Sequence, residues 1–418
     1  VTSLLALLLA CAGSHKPDPE SAAHAEAPPE APADVATPQP ERVVKRPSPS
    51  RAAVNADYGK RATDFAMRFH QQIADGNTAT SGISAEIALS MLAAGARGQT
   101  QAEFETLFGA PVDEAWHIDN ARALAAYNDT LGAELTVTNG LWTDTGFSLL
   151  ESYSQLLTDD YRVQPAQLDF SDANTAAATI NRWTQEHTKG MIEKLFEPPD
   201  VQGAKVVLAN AVAFKGKWAV PFDLANTKPM PFHVGSESVD VPTMNATLEH
   251  LSYVDEEGFS AVAIPYQERA TQMIIVLPDE GVELESVEAR LDAQMLGRTT
   301  MSGRRPVNIA LPKWQAEYSY DLLEPLAEMG LSTAFRGGDY SGMSEQALTL
   351  DAAIQKVVVK VDEEGTEAAA VTGIIMKTTS TAVAPPPVDF VVDRPFFWVI
   401  WHTETRSPLF TGRVVDPR

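Results

Sequence analysis

The chain has 418 residues, 44% of them hydrophobic, and a formal net charge of −24. That acidic balance excludes the basic stripe expected of a nucleic-acid binder, and no apolar run reaches the length of a conventional transmembrane helix. The single cysteine, Cys11, excludes an intrachain disulfide.

Leu4 to Ala10 form a short apolar leader core, and Leu8-Leu9-Ala10-Cys11 fits the bacterial lipobox pattern, although no basic n-region precedes it. Cleavage before Cys11 and acylation of its sulfur would tether the protein to a membrane. Residues 1–11 are therefore read as signal peptide and lipidation site. The protein is expected to be exported and lipid-anchored to the cell envelope, at the outer membrane or cell surface, or otherwise extracellular. The alternative is a truncated secretory signal that happens to hold a cysteine. Residues 12–52 are rich in Pro, Ala and Glu, cannot bury a core, and read as a disordered spacer. Residues 53–418 read as one large domain.

Within that domain Phe65, Phe69 and Ile73 recur at helical spacing. Ser84 is expected to cap a second helix through Ile87, Met91 and Leu92, ending near Gly95. A strand fits Leu135 to Trp142, and a helix fits Ile180, Trp183 and His187. Lys205 to Phe214 is an almost continuous apolar run, which suits a central strand buried on both faces. Asn210 sits inside that run and must find hydrogen-bond partners. Strands fit Ser260 to Tyr266, Gln272 to Leu277 and Pro306 to Leu311, and a helix fits Tyr320 to Met329. Further strands fit Ile354 to Val361, Phe396 to Trp401 and Leu409 to Val415. Helices dominate early and strands late, without strict alternation, so the fold class is α+β.

Residues 368–384 stand apart. They carry one charge, Lys377, no proline and one glycine, Gly373, and Pro385-Pro386-Pro387 follows them. The first five, Ala368, Ala369, Ala370, Val371 and Thr372, are small. Such a segment has little to dock into a core, yet it lacks the brakes that keep exposed strands from pairing. It suits a moving part that can enter a sheet.

Signatures of catalysis are not found: no phosphate loop, dinucleotide fingerprint, zincin helix or nucleophile elbow, and no His pair at metal-ligand spacing. The expectation is a protein that is not an enzyme and needs no cofactor or metal. Asn128-Asp129-Thr130 and Asn245-Ala246-Thr247 match the N-glycosylation pattern, with no expected role.

Several strings together resemble the serpin family. Ser81-Gly82-Ile83-Ser84, with Ala88-Leu89, Met91-Leu92 and Gly95-Ala96-Arg97-Gly98-Gln99-Thr100, is similar to the serpin pattern SPxSIxxALxMLxxGARGxT. Leu208-Ala209-Asn210-Ala211 with Phe214-Lys215-Gly216-Lys217-Trp218 resembles LxNAxxFKGxW. Ile264-Pro265-Tyr266, Met273 to Pro278, Leu311-Pro312-Lys313-Trp314 and Tyr340-Ser341-Gly342-Met343 fit in the same order. Glu363-Glu364-Gly365-Thr366-Glu367-Ala368-Ala369-Ala370 is similar to the serpin hinge, and Asp393-Arg394-Pro395-Phe396 and Pro408 to Val414 close the match. The chain departs from the pattern at Gly82, usually Pro, at Ala85, usually Ile, and at Gln355, commonly His in animal members.

The resemblance implies a serpin fold with about three β-sheets, eight to nine helices and an exposed reactive-centre loop at about residues 363–388. It implies an irreversible suicide-substrate inhibitor of serine proteases, extending to papain-like cysteine proteases. A protease attacks the loop, and the cleaved loop inserts into the main sheet and traps the acyl-enzyme. The hinge would be Glu364, Gly365, Thr366, Glu367, Ala368, Ala369, Ala370, Val371 and Thr372. The usual count of fourteen residues past the hinge glycine places the reactive bond at Thr379–Ser380, for an elastase- or subtilisin-like target. Lys377–Thr378 is the alternative, for a trypsin-like one. Ser84, Asn210 and Gln355 would form a polar cluster beneath the sheet opening, with Trp218 in the same opening region. Gln355 cannot gain charge near neutral pH, so that cluster is expected to lack a pH switch. A monomer is expected, with target proteases and, through lipidated Cys11, a membrane as partners. The competing reading is a non-inhibitory serpin that serves as a binding or carrier protein on the envelope.

Overall fold

The structure, a computed structural model, describes residues 57–128, 134–366 and 386–418, all within the compact unit Pro49–Arg418. The leader, Cys11, the spacer and the boundary expected near residue 53 lie outside the described residues. Ten α-helices occur among the described residues: α1 (Tyr58–Ile73), α2 (Gly82–Gly95), α3 (Gly98–Phe108), α4 (Glu114–Asn128), α5 (Glu151–Tyr161), α6 (Ala173–His187), α7 (Pro198–Val201), α8 (Leu284–Glu288), α9 (Ala293–Met301) and α10 (Leu323–Glu328). The strands are β1 (Thr78–Thr80), β2 (Glu134–Asp144), β3 (Ala166–Leu168), β4 (Val206–Lys217), β5 (Lys228–Val234), β6 (Glu237–Glu256), β7 (Phe259–Pro265), β8 (Thr271–Pro278), β9 (Arg304–Pro312), β10 (Trp314–Asp321), β11 (Ala352–Asp362), β12 (Gly365–Thr366), β13 (Val388–Val391), β14 (Phe396–His402) and β15 (Ser407–Val414).

The strands form two hydrogen-bonded sheets. One has six strands in the order β10-β11-β12-β4-β2-β3. The other has nine, β1-β15-β14-β8-β7-β6-β9-β13 with β5 added on β6. About three sheets were expected. The larger sheet is continuous because β6 pairs with β5, β7 and β9 in turn, bending at an irregularity between Leu248 and Leu251.

Alternation along β4 and β11 builds both faces of the six-stranded sheet. Leu208, Val212 and Phe214 of β4, with Val357, Val359 and Val361 of β11, face the main core. Val207, Ala209, Ala211 and Ala213 face a second cluster with Ala173, Ala176, Ala177 and Ile180 of α6. The small residues on both partners suit a close helix-to-sheet packing. α2 is buried along nearly its whole length in the main core. Each large apolar side chain buried there contributes about 1.5–3 kcal/mol.

Two sequence expectations change. Ser81, not Ser84, caps α2: its hydroxyl accepts from the Ser84 backbone N–H, and Ser84 lies inside the helix. The helix expected over Tyr320 to Met329 is shorter, because Tyr318 and Tyr320 belong to β10, paired with Val357 and Gln355 of β11. Their alternation with polar residues is a strand period that overrides the helical reading.

Candidate functional site

The six-stranded sheet divides at one end. Over Ala352–Val358 and Val207–Ala213, β11 and β4 pair directly and in parallel. Beyond that seam the chain turns back at Glu363-Glu364, and β12 lies between them. Gly365 pairs with Asp362 and Lys217, and Thr366 with Val361 and Gly216. A short hairpin thus occupies the mouth of a slot whose remainder is closed.

The fit there is tight. Gly365 has φ +149°, and a Cβ on it would run into the Gly216 carbonyl and come within 2.7 Å of the Lys217 Cα. Glycine is therefore required at this step of the hairpin. A Cβ on Gly216 would lie 2.7 Å from the Phe214 ring and 2.8 Å from the Tyr266 ring.

Side chains from four segments hold the turn. Trp218 donates its indole N–H to the Asp362 carbonyl and its backbone N–H to the Glu364 carbonyl, both at 2.9 Å. Phe222 N–H donates to the Glu363 carbonyl at 2.8 Å. The buried Glu363 carboxylate accepts from Lys313 Nζ and from Thr227 Oγ1, each at 2.8 Å. Burial opposes its charge, but the Lys313 ammonium and the Thr227 hydroxyl outweigh burial and hold the carboxyl below its ordinary range. Thr366 is fully buried, and its hydroxyl bonds that of Tyr266 at 2.9 Å.

Deeper along the closed seam lies a buried polar cluster. Asn139, Asn210 and Gln355 stand abreast on β2, β4 and β11. Asn210 Nδ2 donates to Ser84 Oγ and Asn139 Oδ1, each at 2.6 Å, and to the Ser84 carbonyl at 3.1 Å. Gln355 Nε2 donates to Asn210 Oδ1 at 2.7 Å and to the Ser81 carbonyl at 3.0 Å, and Gln355 Oε1 accepts from Ser81 N–H. These bonds tie the closed seam to the start of α2, and none of the four side chains, Ser84, Asn139, Asn210 and Gln355, titrates near neutral pH.

The structure therefore brings Ser84, Asn210 and Gln355 together, and places Trp218 with Glu364, Gly365 and Thr366 at the slot mouth. Glu367, Ala368, Ala369, Ala370, Val371 and Thr372, and the candidate bonds Thr379–Ser380 and Lys377–Thr378, lie outside the described residues. Among the described residues no group of acidic, His or Cys side chains forms a metal site. Tyr266, Lys313, Thr227, Ser81 and Asn139 were not singled out for roles. Tyr266 and Lys313 lie in strings that match the family pattern, and Asn139 is a polar residue on an inward strand position. Nothing local in the sequence marks Thr227.

A family model described as Serpin (serine protease inhibitor) matches residues 60–417. A leukocyte elastase inhibitor of Xenopus tropicalis is 33% identical over 378 residues, covering 85% of this chain and 97% of its own. An uncharacterized serpin-like protein of Thermococcus kodakarensis is 32% identical over 366 residues, covering 85% and 84%. Among solved structures, the thermophilic serpin tengpin in its native state superposes with a TM-score of 0.78 at 25% identity, covering 87% of this chain and 95% of its own. A thyroxine-binding globulin in complex with thyroxine gives 0.74 at 29% identity, covering 86% and 98%.

Proposed function

The chain belongs to the serpin family, and we propose that it is an irreversible suicide-substrate inhibitor of serine proteases, extending to papain-like cysteine proteases. The observation that carries this reading is β12, two residues of the hinge already paired between β11 and β4. Each step along the hinge moves the partner one residue back along both strands. Continued insertion would bring Ala368 between Phe214 and Val359, Ala370 between Val212 and Val357, and Thr372 between Asn210 and Gln355. The two alanines would meet large side chains, and Thr372, the next polar side chain on that face after Thr366, would meet the polar cluster. A charged or bulky residue at these points would bury an unpaired group or overpack the core.

In the proposed reaction the protease hydroxyl oxygen attacks the Thr379 carbonyl. The Thr379–Ser380 C–N bond breaks, an ester to the protease forms, and Ser380 leaves as an amine carrying the proton from that hydroxyl. Insertion of the loop then competes with hydrolysis of the ester. A hinge of small residues supports inhibition over the carrier reading, in which entry would not be required.

Incubation with trypsin, elastase, subtilisin and papain, followed by denaturing electrophoresis, tests the proposal. A covalent band near the summed masses is expected, with a released fragment that begins at Ser380. A fragment beginning at Thr378 moves the bond to Lys377–Thr378. Loop cleavage or inertness without a covalent band for all four proteases overturns inhibition.

A further inference from the structure

Backbone pairing puts Gly365 and Thr366 in the slot, in a register that turns Thr366 to the core face beside Val361 and that a slip of one residue would reverse. Thr366 points into the core, where its hydroxyl meets that of Tyr266 at 2.9 Å. Tyr266 is itself fully buried and fixed on three sides. Its ring stacks on Trp218 at 4.6 Å and 15°, Phe214 meets it edge-on at 4.9 Å, and Gly216 leaves room for it by lacking a Cβ. Its backbone forms an isolated bridge with Trp218. The same Trp218 donates to the Asp362 and Glu364 carbonyls, so ring, indole and turn form one connected unit. Burial pushes the Tyr266 phenol well above its ordinary pKa, which keeps it a neutral hydroxyl.

We propose that Tyr266 is a positioning residue for loop insertion: its hydroxyl latches Thr366 inside the slot, holds the register that sets which alternate side chains face the core, and gives insertion a seated first step. This rests on the inhibitory reading above. A strand slipped by one residue would turn every inward side chain outward, so a fixed first inward residue sets the phase for those that follow. Without the latch, more molecules would begin from a withdrawn hinge, insertion after acylation would slow, and more loops would be lost as ordinary substrate.

Tyr266→Phe removes the hydroxyl and keeps the ring. It leaves the Thr366 hydroxyl unpaired in a buried site, and an effect of roughly fivefold or more is expected. The first readout is the number of inhibitor molecules consumed per protease trapped. It should rise by about that factor in Tyr266→Phe, with the rate of first loop attack unchanged. Thr366→Val should act in the same direction, and the double variant should be no worse than either single one, because the two hydroxyls act as one unit. The second readout needs no protease: amide hydrogen exchange at Thr366 should accelerate in Tyr266→Phe, while exchange along Ala209–Val212 stays as it is. Wild-type trapping with unchanged stoichiometry in Tyr266→Phe, or effects of the two substitutions that simply add, overturns the latch as an aid to trapping. If the wild type traps nothing, the inhibitory reading fails, and the exchange readout alone decides whether the latch exists. Unchanged exchange at Thr366 overturns it.

Discussion

Glu86 lies on α2, two residues beyond Ser84 of the polar cluster, and its side chain is buried with no hydrogen-bond partner for either carboxylate oxygen. Its nearest counter-charge is Arg61 of α1 at 4.0 Å, whose guanidinium also rests over the Trp116 ring of α4. Burial pushes the Glu86 carboxyl up to about 7, against the opposing pull of Arg61 and Arg68. A carboxyl raised on folding stabilises the native state fully below its ordinary value near 4.5, and that stabilisation is lost as pH rises through about 7. A shift of this size corresponds to something on the order of 3 kcal/mol. The melting temperature of the wild type should therefore fall from pH 5 to pH 8 relative to that of Glu86→Gln, which stays neutral. Parallel melting curves for the two proteins would show that Glu86 does not titrate in this range.

At the scale of elements, the seam between β4 and β11 is where sequence and structure agree best. The apolar run from Lys205 to Phe214 reads directly as a strand buried on both faces, and Asn210 stands out in it because a buried amide needs partners. Which partners it finds was legible only through the family pattern, which supplied Ser84 and Gln355. Asn139 and Ser81 complete the network through a cross-strand register and a helix cap, and these depend on how β2, β4 and α2 meet in space. The helix expected through Tyr320 failed for the opposite reason, since a short stretch of alternating aromatics is decided by its neighbour β11. Pairing of β12 with both flanking strands was not legible, because two residues carry no periodicity. The register of β12 makes its own prediction. In the loop-cleaved protein Thr372 should lie between Asn210 and Gln355, so Thr372→Val should lower the stability of the cleaved form by about 1–3 kcal/mol. The intact form should melt as the wild type does. A cleaved form indifferent to this substitution would mean that insertion follows another register or stops earlier.

For the molecule as a whole, full insertion would convert the direct β4–β11 seam into two antiparallel ladders around a new central strand. The seam is a parallel pairing, which is slightly less stable per residue than antiparallel pairing. The cleaved protein should therefore melt well above the intact one. Calorimetry before and after a cut in the loop checks this, and equal melting temperatures would exclude insertion. The net charge of −24 should leave the difference in place across moderate salt, since what changes is strand pairing and apolar burial rather than surface ion pairs.

The turn at Glu363-Glu364 also has a kinetic meaning. It makes β12 contiguous with β11, so on the proposed mechanism the incoming strand is tethered beside one wall of its slot. Each further residue would add at the growing end without closing a new loop, and so without a new loop-closure entropy. Free hairpins zip in about 1–10 μs, which sets a fast limit for such growth. Opening the β4–β11 seam ahead of the strand, including the bond between Gln355 and Asn210, would then govern the pace. In the language of folding, the proposed mechanism has the intact chain nucleate its last hairpin and wait before propagation, and a protease would supply the cut that lets it finish.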